Sequence, residues 1–400
     1  MINAAILGYG TVGAGVFGVL KMNSAAIARR AGDEIRVKYV LDLREFPGDP
    51  AAEVLTHDYK DILDDPEVSI VVETMGGLKP AYDFTKQALL AGKNVCTSNK
   101  ELVAEYGVEL LTIAREHSVN YLFEASCGGG IPIIRTFNSS LTAEEIDAVT
   151  GILNGTTNYI LTKMRVDGQD FGDALKEAQE RGYAEKHPEA DVEGWDACRK
   201  IAILSSLAYG NHVSYKEIPT EGITNIEKAD IAYAEALGMR VKLLAVSRRN
   251  EKGVWALVAP MLVAKSNMLY YVDDVLNAVF VHGNALGDAM FYGSGAGSLP
   301  TASAVAGDVV DCARHLHKTI RSDWSPKKAE LLPPDGVCRS FFVRFSGSEA
   351  EARDIFGNVK PIRTLGASGE FGFVTEVMSE KNFHEKCSGS GKVIKSIRIA

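Results

Sequence analysis

The sequence predicts an α/β protein with a doubly wound parallel sheet first, an α+β domain with an antiparallel sheet second and a small βαββαβ module last. Three observations predict this order: short apolar strands alternate with helical segments, a hairpin pattern follows, and a linker precedes the last strands. We expect the domains at residues 1–127, 128–299 and 337–400, with helix 300–320 returning to the first domain.

A glycine-rich turn follows the first apolar strand. The sequence GYGTVG fits GxGxxG, with a strand before it and an apolar helix after it. Glycines at these positions permit the tight turn, the close approach of a pyrophosphate and the packing of helix on strand. The motif predicts a dinucleotide-binding Rossmann domain rather than a merely structural turn. The predicted cofactor-binding residues here are Gly8, Gly10, Thr11, Val12 and Gly13.

The rest of the first domain alternates strands and helices. The candidate strands are Ala4–Leu7, Val37–Leu41, Ser69–Val72, Asn94–Cys96 and Tyr121–Phe123, and the clearest helices are Tyr82–Ala91 and Glu101–His117. Short apolar strands separated by helices are typical of a parallel sheet, whose ligand binds at the carboxyl ends of the strands.

The pattern changes from Gly128 onward. Helices are predicted at Phe171–Arg181, Val192–Tyr209 and Lys228–Leu237, and strands at Arg240–Ser247 and Val254–Val263. The turn Asn250–Gly253 between these two strands favours a hairpin. Ala302–His317 is predicted as the long helix that returns to the first domain.

A linker at Leu331–Gly336 precedes the terminal module. The predicted strands are Ser340–Phe345, Val359–Leu365, Phe371–Met378 and Val393–Ile399, with helices at Glu349–Ile355 and Glu380–Cys387. This order resembles an ACT-type regulatory module with a shortened first half. Threonine binding at this module stays open.

Composition narrows the class of partner. The 400 residues carry a net charge of −9 and no basic cluster, which argues against nucleic acid and anionic membranes. No apolar run reaches the ~18 residues of a membrane span, and no leader precedes the first strand, so we expect a cytoplasmic protein. The six scattered cysteines are expected to be reduced thiols.

The most informative chemistry lies between Gly182 and Lys200. Asp196 and Lys200 are four residues apart, so they share a helix face with the apolar Ile203 and Leu207. Two opposite charges therefore begin a stripe that should be buried, and buried charges are costly unless they are paired or used. The alternative is an ordinary surface ion pair.

Four other segments carry candidate groups. Lys100 opens a helix where a nicotinamide would lie, or is simply solvated. The segment Glu124–Pro132 contains three glycines whose carbonyls suit a hard cation, and Cys127 offers a less favoured nucleophile. Asn154–Asn158 is a dense polar set at a strand-to-helix turn, with helix capping as the alternative role. The loop Gly293–Thr301 closes over the cofactor or turns the chain.

Together these motifs resemble homoserine dehydrogenase over roughly residues 1–320. The stretches that carry the resemblance are GYGTVG from Gly8, TSNK ending at Lys100, EASCGGGIP from Glu124, ILNGTTNYIL from Ile152, GYAEKHPEADVEGWDACRK ending at Lys200, and GSGAGSLPTASAV from Gly293. The Gly182–Lys200 stretch is the most specific of them.

The resemblance implies NAD(P)-dependent interconversion of L-homoserine and L-aspartate 4-semialdehyde, on the route to threonine and methionine. It implies that Lys200 donates and accepts the proton, that Asp196 helps position the substrate, and that Lys100 lies where cofactor and substrate meet. Glu185 and Asp191 are the implied substrate-binding residues, and Gly297 is a further cofactor-binding residue.

The resemblance also implies a sodium-type cation site, largely of backbone oxygens. Its residues here are Glu124, Cys127, Gly129 and Ile131. Cys127 stands where the family usually has valine, a change that a carbonyl ligand would survive. The TSNK segment is usually TANK, which is a mild departure.

Coenzyme choice is open at this stage. Asp42 follows the second strand, where an acid binds the ribose hydroxyls of NAD, whereas Arg44 suits the 2′-phosphate of NADP. The family resemblance favours NADP with Arg44 as a cofactor-binding residue. A homodimer or homotetramer is expected.

Two other functions would also use the glycine turn to bind a nicotinamide coenzyme, but they differ in the reaction or have none. One is a phosphorylating semialdehyde dehydrogenase that acts through Cys127. The other is a non-catalytic NAD(P)-sensing regulator whose output is the terminal module.

Overall fold

The computed structural model describes residues 1–322, 324–364 and 369–400, which form two compact units. The first unit comprises residues 1–146, 202–215 and 282–329, and the second comprises residues 147–201, 216–281 and 330–400. The terminal segment therefore belongs to the second unit. The domain boundaries expected from the sequence stay predictions.

Strands and helices alternate through most of the chain. The strands are β1 (Ile2–Leu7), β2 (Ile35–Leu41), β3 (Leu55–Thr56), β4 (Val68–Glu73), β5 (Asn94–Thr97), β6 (Tyr121–Leu122), β7 (Ile146–Ile152), β8 (Asn211–His212), β9 (Met239–Asn250), β10 (Gly253–Ala264), β11 (Leu276–Gly283), β12 (Gly287–Ser294), β13 (Ser325–Lys328), β14 (Cys338–Arg339), β15 (Phe341–Phe345), β16 (Phe371–Val374), β17 (Met378–Ser379) and β18 (Val393–Ile399). The helices are α1 (Thr11–Met22), α2 (Ser24–Ala31), α3 (Lys60–Leu63), α4 (Ala81–Leu90), α5 (Lys100–Glu116), α6 (Ile133–Ser139), α7 (Gly155–Val166), α8 (Phe171–Glu180), α9 (Glu189–Val192), α10 (Trp195–Tyr209), α11 (Lys228–Ala236), α12 (Ser298–Arg314), α13 (Glu349–Phe356) and α14 (Glu380–Ser390).

A parallel sheet forms the centre of the first unit, in the order β3-β2-β1-β4-β5-β6. Successive strands are added on one side of β1 as far as β3 and on its other side from β4 onward. A nucleotide binds at such a switch point in the strand order. The predicted doubly wound Rossmann sheet is confirmed. Within the described residues, no single helix is long and apolar enough to cross a membrane, although α1 and α2 pass that test together as a pair bent by 81°.

Helix α12 covers most of the segment expected to return to the first domain, and it packs on α1 and on the central strands of the first unit. A Cβ on Gly15 of α1 would lie 2.8 Å from Ser298 Oγ and 3.0 Å from Ala302 Cβ. The missing side chain therefore lets the two helices approach closely. Cys312 of α12 lies with its sulfur 3.6 Å from that of Cys96 on β5, and both are buried.

A mixed sheet forms the second unit, with its strands in the order β11-β7-β9-β10-β18-β15-β16. The predicted hairpin is confirmed: β9 and β10 pair antiparallel from Asn250 and Gly253 to Met239 and Ala264. Nearly all of β10 is buried, so this hairpin is the platform on which neighbouring loops of the unit pack.

The terminal module keeps the expected βαββαβ order, but its second strand is reduced. Strand β15 pairs antiparallel with both β16 and β18, and β18 pairs parallel with β10. The predicted strand Val359–Leu365 is represented by an isolated bridge between Ile362 and Gly372, and Leu365 lies outside the described residues. The buried Arg344 on β15 bonds to Asp230 of α11 at 2.9 Å, which ties the module to the rest of its unit.

The predicted helix Val192–Tyr209 is wrong at its start. Helix α9 ends at Val192 and α10 begins at Trp195, because Gly194 has φ +85° and its amide donates to Asp191 O at 3.0 Å. A left-handed residue ends a helix, and glycine adopts that conformation without strain. Asp191 therefore lies in the short helix α9 and not in the first turn of α10.

We predict that Gly13→Ala destabilises the first unit. A Cβ on Gly13 would lie 2.0 Å from Gly8 O, so strand, turn and helix must move apart. Overpacking of this kind lowers the melting temperature by roughly 2–10 °C. Gly18→Ala is the matched control on α1, because no atom lies within 4 Å of its added Cβ. Equal melting curves for the two variants would contradict the packing role.

Candidate functional site

The glycine turn leaves open space in front of the amino end of α1. Gly8 has φ +88°, and a Cβ on Gly13 would strike its carbonyl oxygen, whereas nothing lies within 4 Å of a Cβ on Gly10. Amides at a helix start attract phosphate oxygens. The half-buried Val12 packs against the hydrophobic core, so its side chain supports the turn from the protein side.

The second glycine-rich loop lies against this turn. Gly297, with φ +113°, precedes α12, and the Ser298 hydroxyl donates to the Thr11 carbonyl at 2.9 Å. The starts of α1 and α12 are therefore joined by a hydrogen bond. Of the two roles open for this loop, closing on the cofactor turn is the one that this contact favours.

Asp42 and Arg44 form a fixed pair beside the same turn. Asp42 accepts from the Tyr9 amide at 2.7 Å, and both of its oxygens bond to the Arg44 guanidinium at 2.9 Å. The guanidinium holds the pKa of the Asp42 carboxyl well below its usual range. Arg44 remains exposed and stacks over Phe46 at 5.3 Å, so its charge faces solvent at the edge of the site.

The start of α5 is held by polar groups at the ends of two strands. Asn99 caps α5 by accepting from Leu102 N at 3.1 Å, and this places Lys100 as the first residue of the helix. The buried Glu73 at the end of β4 accepts from Thr97 Oγ1 at 2.6 Å, and burial raises its pKa. The segment before Lys100 is therefore fixed from both sides.

The carboxylate of Glu124 is used within the protein. Its two oxygens accept from the amides of Ile134 and Arg135 at 2.9 and 2.6 Å, at the start of α6. Asp308 accepts from the Glu124 amide at 2.9 Å and also pairs with Arg135, which reaches Asp311 as well. Burial raises the pKa of Glu124, and burial with the nearby Glu124 charge raises that of Asp308.

These groups shape the backbone of the glycine segment. Gly129 has φ +55°, and a Cβ there would lie 2.4 Å from the carbonyl of Gly295. The Gly130 amide donates to Ser294 O at 3.0 Å. Cys127 and Ile131 are buried beside them. The groups in this segment that could bind a ligand are backbone carbonyl oxygens, which suit a hard cation.

Lys200 is buried in the second unit and is hydrogen-bonded to a carbonyl and to a carboxylate. Its Nζ donates to Leu153 O at 2.8 Å and to Asp196 Oδ2 at 2.7 Å. Asn154 Nδ2 donates to the same Asp196 oxygen at 2.8 Å and to Asp191 Oδ1 at 2.7 Å. Lys200 is 8% exposed and Asp196 is 2% exposed. The predicted buried ion pair is present, and a surface ion pair is excluded.

The comparisons with known proteins agree on one family. Residues 8–124 match the model "Homoserine dehydrogenase, NAD binding domain", and residues 132–310 match the model "Homoserine dehydrogenase". A homoserine dehydrogenase of Pseudomonas aeruginosa is 44% identical over 395 residues, covering 96% of this chain and 89% of that protein. The chain belongs to the homoserine dehydrogenase family.

Further relatives and solved structures agree with this family. A homoserine dehydrogenase of Neisseria gonorrhoeae is 40% identical over 91% of this chain and 85% of its own length. The crystal structure of a homoserine dehydrogenase from Thiobacillus denitrificans has a TM-score of 0.91 and 38% identity, covering 100% of this chain and 98% of that one. A hyperthermophilic archaeal homoserine dehydrogenase mutant in complex with NADPH has a TM-score of 0.65 and 27% identity over 78% of this chain and 97% of that one.

The homoserine dehydrogenase family is one of NAD(P)-dependent oxidoreductases, and this chain carries its nicotinamide-coenzyme domain. Both competing functions are therefore wrong. The semialdehyde dehydrogenase would need an accessible Cys127, which is completely buried. A non-catalytic regulator is excluded because the chain matches homoserine dehydrogenases over nearly its full length.

The second unit brings together some of the predicted residues. Asp191, Asp196 and Lys200 converge through Asn154. Glu185 is exposed in the segment between α8 and α9, and its carbonyl accepts from Gln179 Nε2 at 3.0 Å. Its role with substrate stays a prediction for this homoserine dehydrogenase.

The sequence did not point to Glu73 and Asp308, which fix the segments that carry Lys100 and Glu124. For Asn154 it left helix capping as the alternative role. Asn154 does cap α7, accepting from Thr157 N at 2.8 Å, but its amide nitrogen also serves two carboxylates. The available signal was a polar residue inside an apolar context, as for Glu73 after the strand Ser69–Val72. Such a pattern indicates that a polar side chain is buried, but it does not indicate which residue the side chain bonds to.

The segment that carries Asp191 is fixed by backbone packing in its own unit. The Ile223 amide donates to Val192 O at 2.8 Å, and a Cβ on Gly222 would lie 2.2 Å from that oxygen and 2.5 Å from Glu193 Cα. Gly222 therefore lets the two chain segments touch. Its loop is in turn bonded to β10 through Glu221 N and Val258 O at 2.8 Å.

We predict that Gly222→Ala impairs this homoserine dehydrogenase by displacing the segment next to Lys200. A shift of about 1 Å costs as much as 100-fold in rate, so kcat with homoserine should fall about 10- to 100-fold. The NADPH dissociation constant, measured by fluorescence, should stay within twofold. Gly389→Ala is the control, since its Cβ meets nothing within 4 Å. Wild-type kcat in Gly222→Ala would refute the packing argument.

Proposed function

We propose that the chain interconverts L-homoserine and L-aspartate 4-semialdehyde with a nicotinamide coenzyme, in threonine and methionine biosynthesis. The observation that carries this proposal is the buried amine of Lys200, held by Asp196 and the Leu153 carbonyl. Oxidation of an alcohol removes a proton from oxygen and a hydride from carbon, so the reaction needs a fixed group that takes and returns the proton.

Lys200 supplies that group. In the oxidative direction its amine takes the hydroxyl proton of homoserine as the C–H bond breaks, and in the reductive direction its ammonium returns that proton to the new alkoxide. The bound nicotinamide ring accepts or supplies the hydride. Asp196 orients the amine through its 2.7 Å bond and stabilises the ammonium that forms.

The remaining predicted residues bind the substrate and the coenzyme. Asp191 and Glu185 carry carboxylates suited to the substrate ammonium, and Lys100 offers a cation for the substrate oxygen and the coenzyme. The open space beside Gly10 would hold the pyrophosphate of the coenzyme, with Gly297 on the loop joined to the same turn.

A cation site at the glycine segment would consist of backbone oxygens. The carbonyls of Glu124, Cys127, Gly129 and Ile131 would hold a sodium-type monovalent ion, as the family resemblance implies. The Glu124 carboxylate has a separate role, since both of its oxygens accept amides of α6. A homodimer or homotetramer in the cytoplasm completes the proposal.

NADP is the proposed coenzyme. Arg44 neutralises Asp42, which removes the repulsion between that carboxylate and a 2′-phosphate, and its exposed guanidinium is a bidentate phosphate donor. Asp42 is committed to Arg44 and to the Tyr9 amide, so its oxygens are less available to the ribose hydroxyls of NAD.

We expect Lys200→Ala to lose more than 99% of kcat for homoserine oxidation, followed as the 340 nm absorbance of the reduced coenzyme, because a general base contributes about 10²–10⁴-fold. NADPH should still bind with a dissociation constant within threefold of wild type. Lys176→Ala is the matched control, since that side chain is 77% exposed on α8.

Near-normal turnover in Lys200→Ala would end the assignment of Lys200. Loss of NADPH binding as well would show that the substitution damages more than proton transfer.

We expect Arg44→Ala to lower kcat/KM for NADP about 10- to 100-fold and to change that for NAD less than threefold, because a lost phosphate contact of a charged group costs about 1.5–3 kcal/mol. Steady-state rates with both coenzymes measure the ratio. Arg36→Ala, at an exposed position of β2, controls for the lost charge. An equal loss with both coenzymes would contradict recognition of the 2′-phosphate by Arg44.

A further inference from the structure

We infer that Asn154 is a positioning residue that sets the distance between the substrate-binding carboxylate and the reacting lysine, and thereby the length of substrate that the site accepts. This inference rests on the proposed function of Lys200. It concerns a side chain that the family resemblance did not assign.

Both the nitrogen and the oxygen of the Asn154 amide are hydrogen-bonded. Its nitrogen donates to Asp191 Oδ1 at 2.7 Å and to Asp196 Oδ2 at 2.8 Å. Its oxygen accepts from Thr157 N at 2.8 Å and from Thr157 Oγ1 at 3.0 Å. Asn154 is 5% exposed, so the side chain is held in one orientation. The opposite amide orientation would set its oxygen against two carboxylates.

The two carboxylates held by Asn154 differ in their surroundings. Asp196 is 2% exposed and bonds to Lys200, whereas Asp191 is half-buried at the end of α9. Asp191 is therefore the carboxylate that a substrate ammonium can reach, and Asp196 is the one that orients the proton-transfer group. Both carboxylates bond to the same nitrogen atom, so the distance between the substrate-binding carboxylate and the carboxylate that orients Lys200 is set by one side chain.

This juxtaposition makes a demand on the substrate. An amino alcohol bound by its ammonium at Asp191 must place its hydroxyl at Lys200, so the number of carbons between the two groups decides whether both contacts form together. Without the amide of Asn154, repulsion separates the two carboxylates and the spacing is no longer fixed. The site then loses rate with homoserine and loses discrimination against homologues of other lengths.

The capping role of Asn154 can be separated from this positioning role. Serine caps a helix about as well as asparagine, so Asn154→Ser keeps an acceptor for Thr157 N and removes both donors to the carboxylates. Asp170→Ala is the matched control, because it removes the cap of the neighbouring helix α8, where Asp170 accepts from Asp173 N at 3.0 Å.

The test compares Asn154→Ser with wild type on L-homoserine, L-serine and 5-hydroxy-L-norvaline, which differ by one carbon in each direction. We expect kcat with homoserine to fall 10- to 100-fold, the kcat/KM preference for homoserine to fall at least fivefold, and NADPH affinity to stay within twofold. In an Asp196→Asn background the same change should lower kcat by a smaller factor than in the wild type, because the bond between the Asn154 amide and the Asp196 carboxylate is already lost.

A merely structural role predicts a different result. Asn154→Ser would then behave like Asp170→Ala, with a lower melting temperature, an unchanged preference among the three substrates and the same fold-change in kcat in both backgrounds, and this would overturn the inference. If Lys200→Ala retains its turnover, the proposed function fails by itself. If Lys200→Ala is inactive and Asn154→Ser keeps the wild-type preference, only the inference fails.

Discussion

The buried ion pair of Lys200 and Asp196 is the constraint on which the second unit depends. Removing two charges from water costs several kcal/mol for each ion unless their remaining donors and acceptors are satisfied. Here the amine also has the Leu153 carbonyl, and the carboxylate also has the Asn154 amide. The end of β7, the start of α7 and the first turns of α10 must therefore keep their places together, because moving one of them leaves a buried charge without a partner.

The same requirement explains why glycines lie next to the segment that precedes Asp196 and Lys200. Gly194 ends the short helix before α10 with a left-handed backbone, and Gly222 lets its loop touch the backbone at Val192. That loop pairs with Val258 on the hairpin strand β10. Backbone-to-backbone packing has little rotamer freedom, so it transmits the position of a rigid sheet to the charged side chains more faithfully than flexible side chains would.

The sequence was informative where a signal is local. Alternating apolar segments predicted the parallel sheet, the hairpin turn predicted the pairing of β9 and β10, and the spacing of Asp196 and Lys200 predicted a buried pair. The sequence failed where the outcome depends on partners far along the chain. Gly194 breaks a helix that periodicity alone would continue, and the second strand of the terminal module shrinks to a bridge at Ile362. Asn154 looked like a helix cap because its second role needs Asp191 and Asp196, which lie 37 and 42 residues away.

In the glycine segment of the first unit, Glu124–Pro132, buried side chains position the backbone. A buried carboxylate near a predicted cation site invites the idea that the carboxylate is the ligand. Glu124 instead spends both oxygens on the amides of α6, while Asp308 holds the Glu124 amide and Arg135 joins the two elements. The side chains thus fix the path of the backbone through this segment. Cys127, at the position where the family resemblance implies valine, is compatible with this arrangement. A ligand that is a backbone carbonyl is present whichever side chain the residue carries.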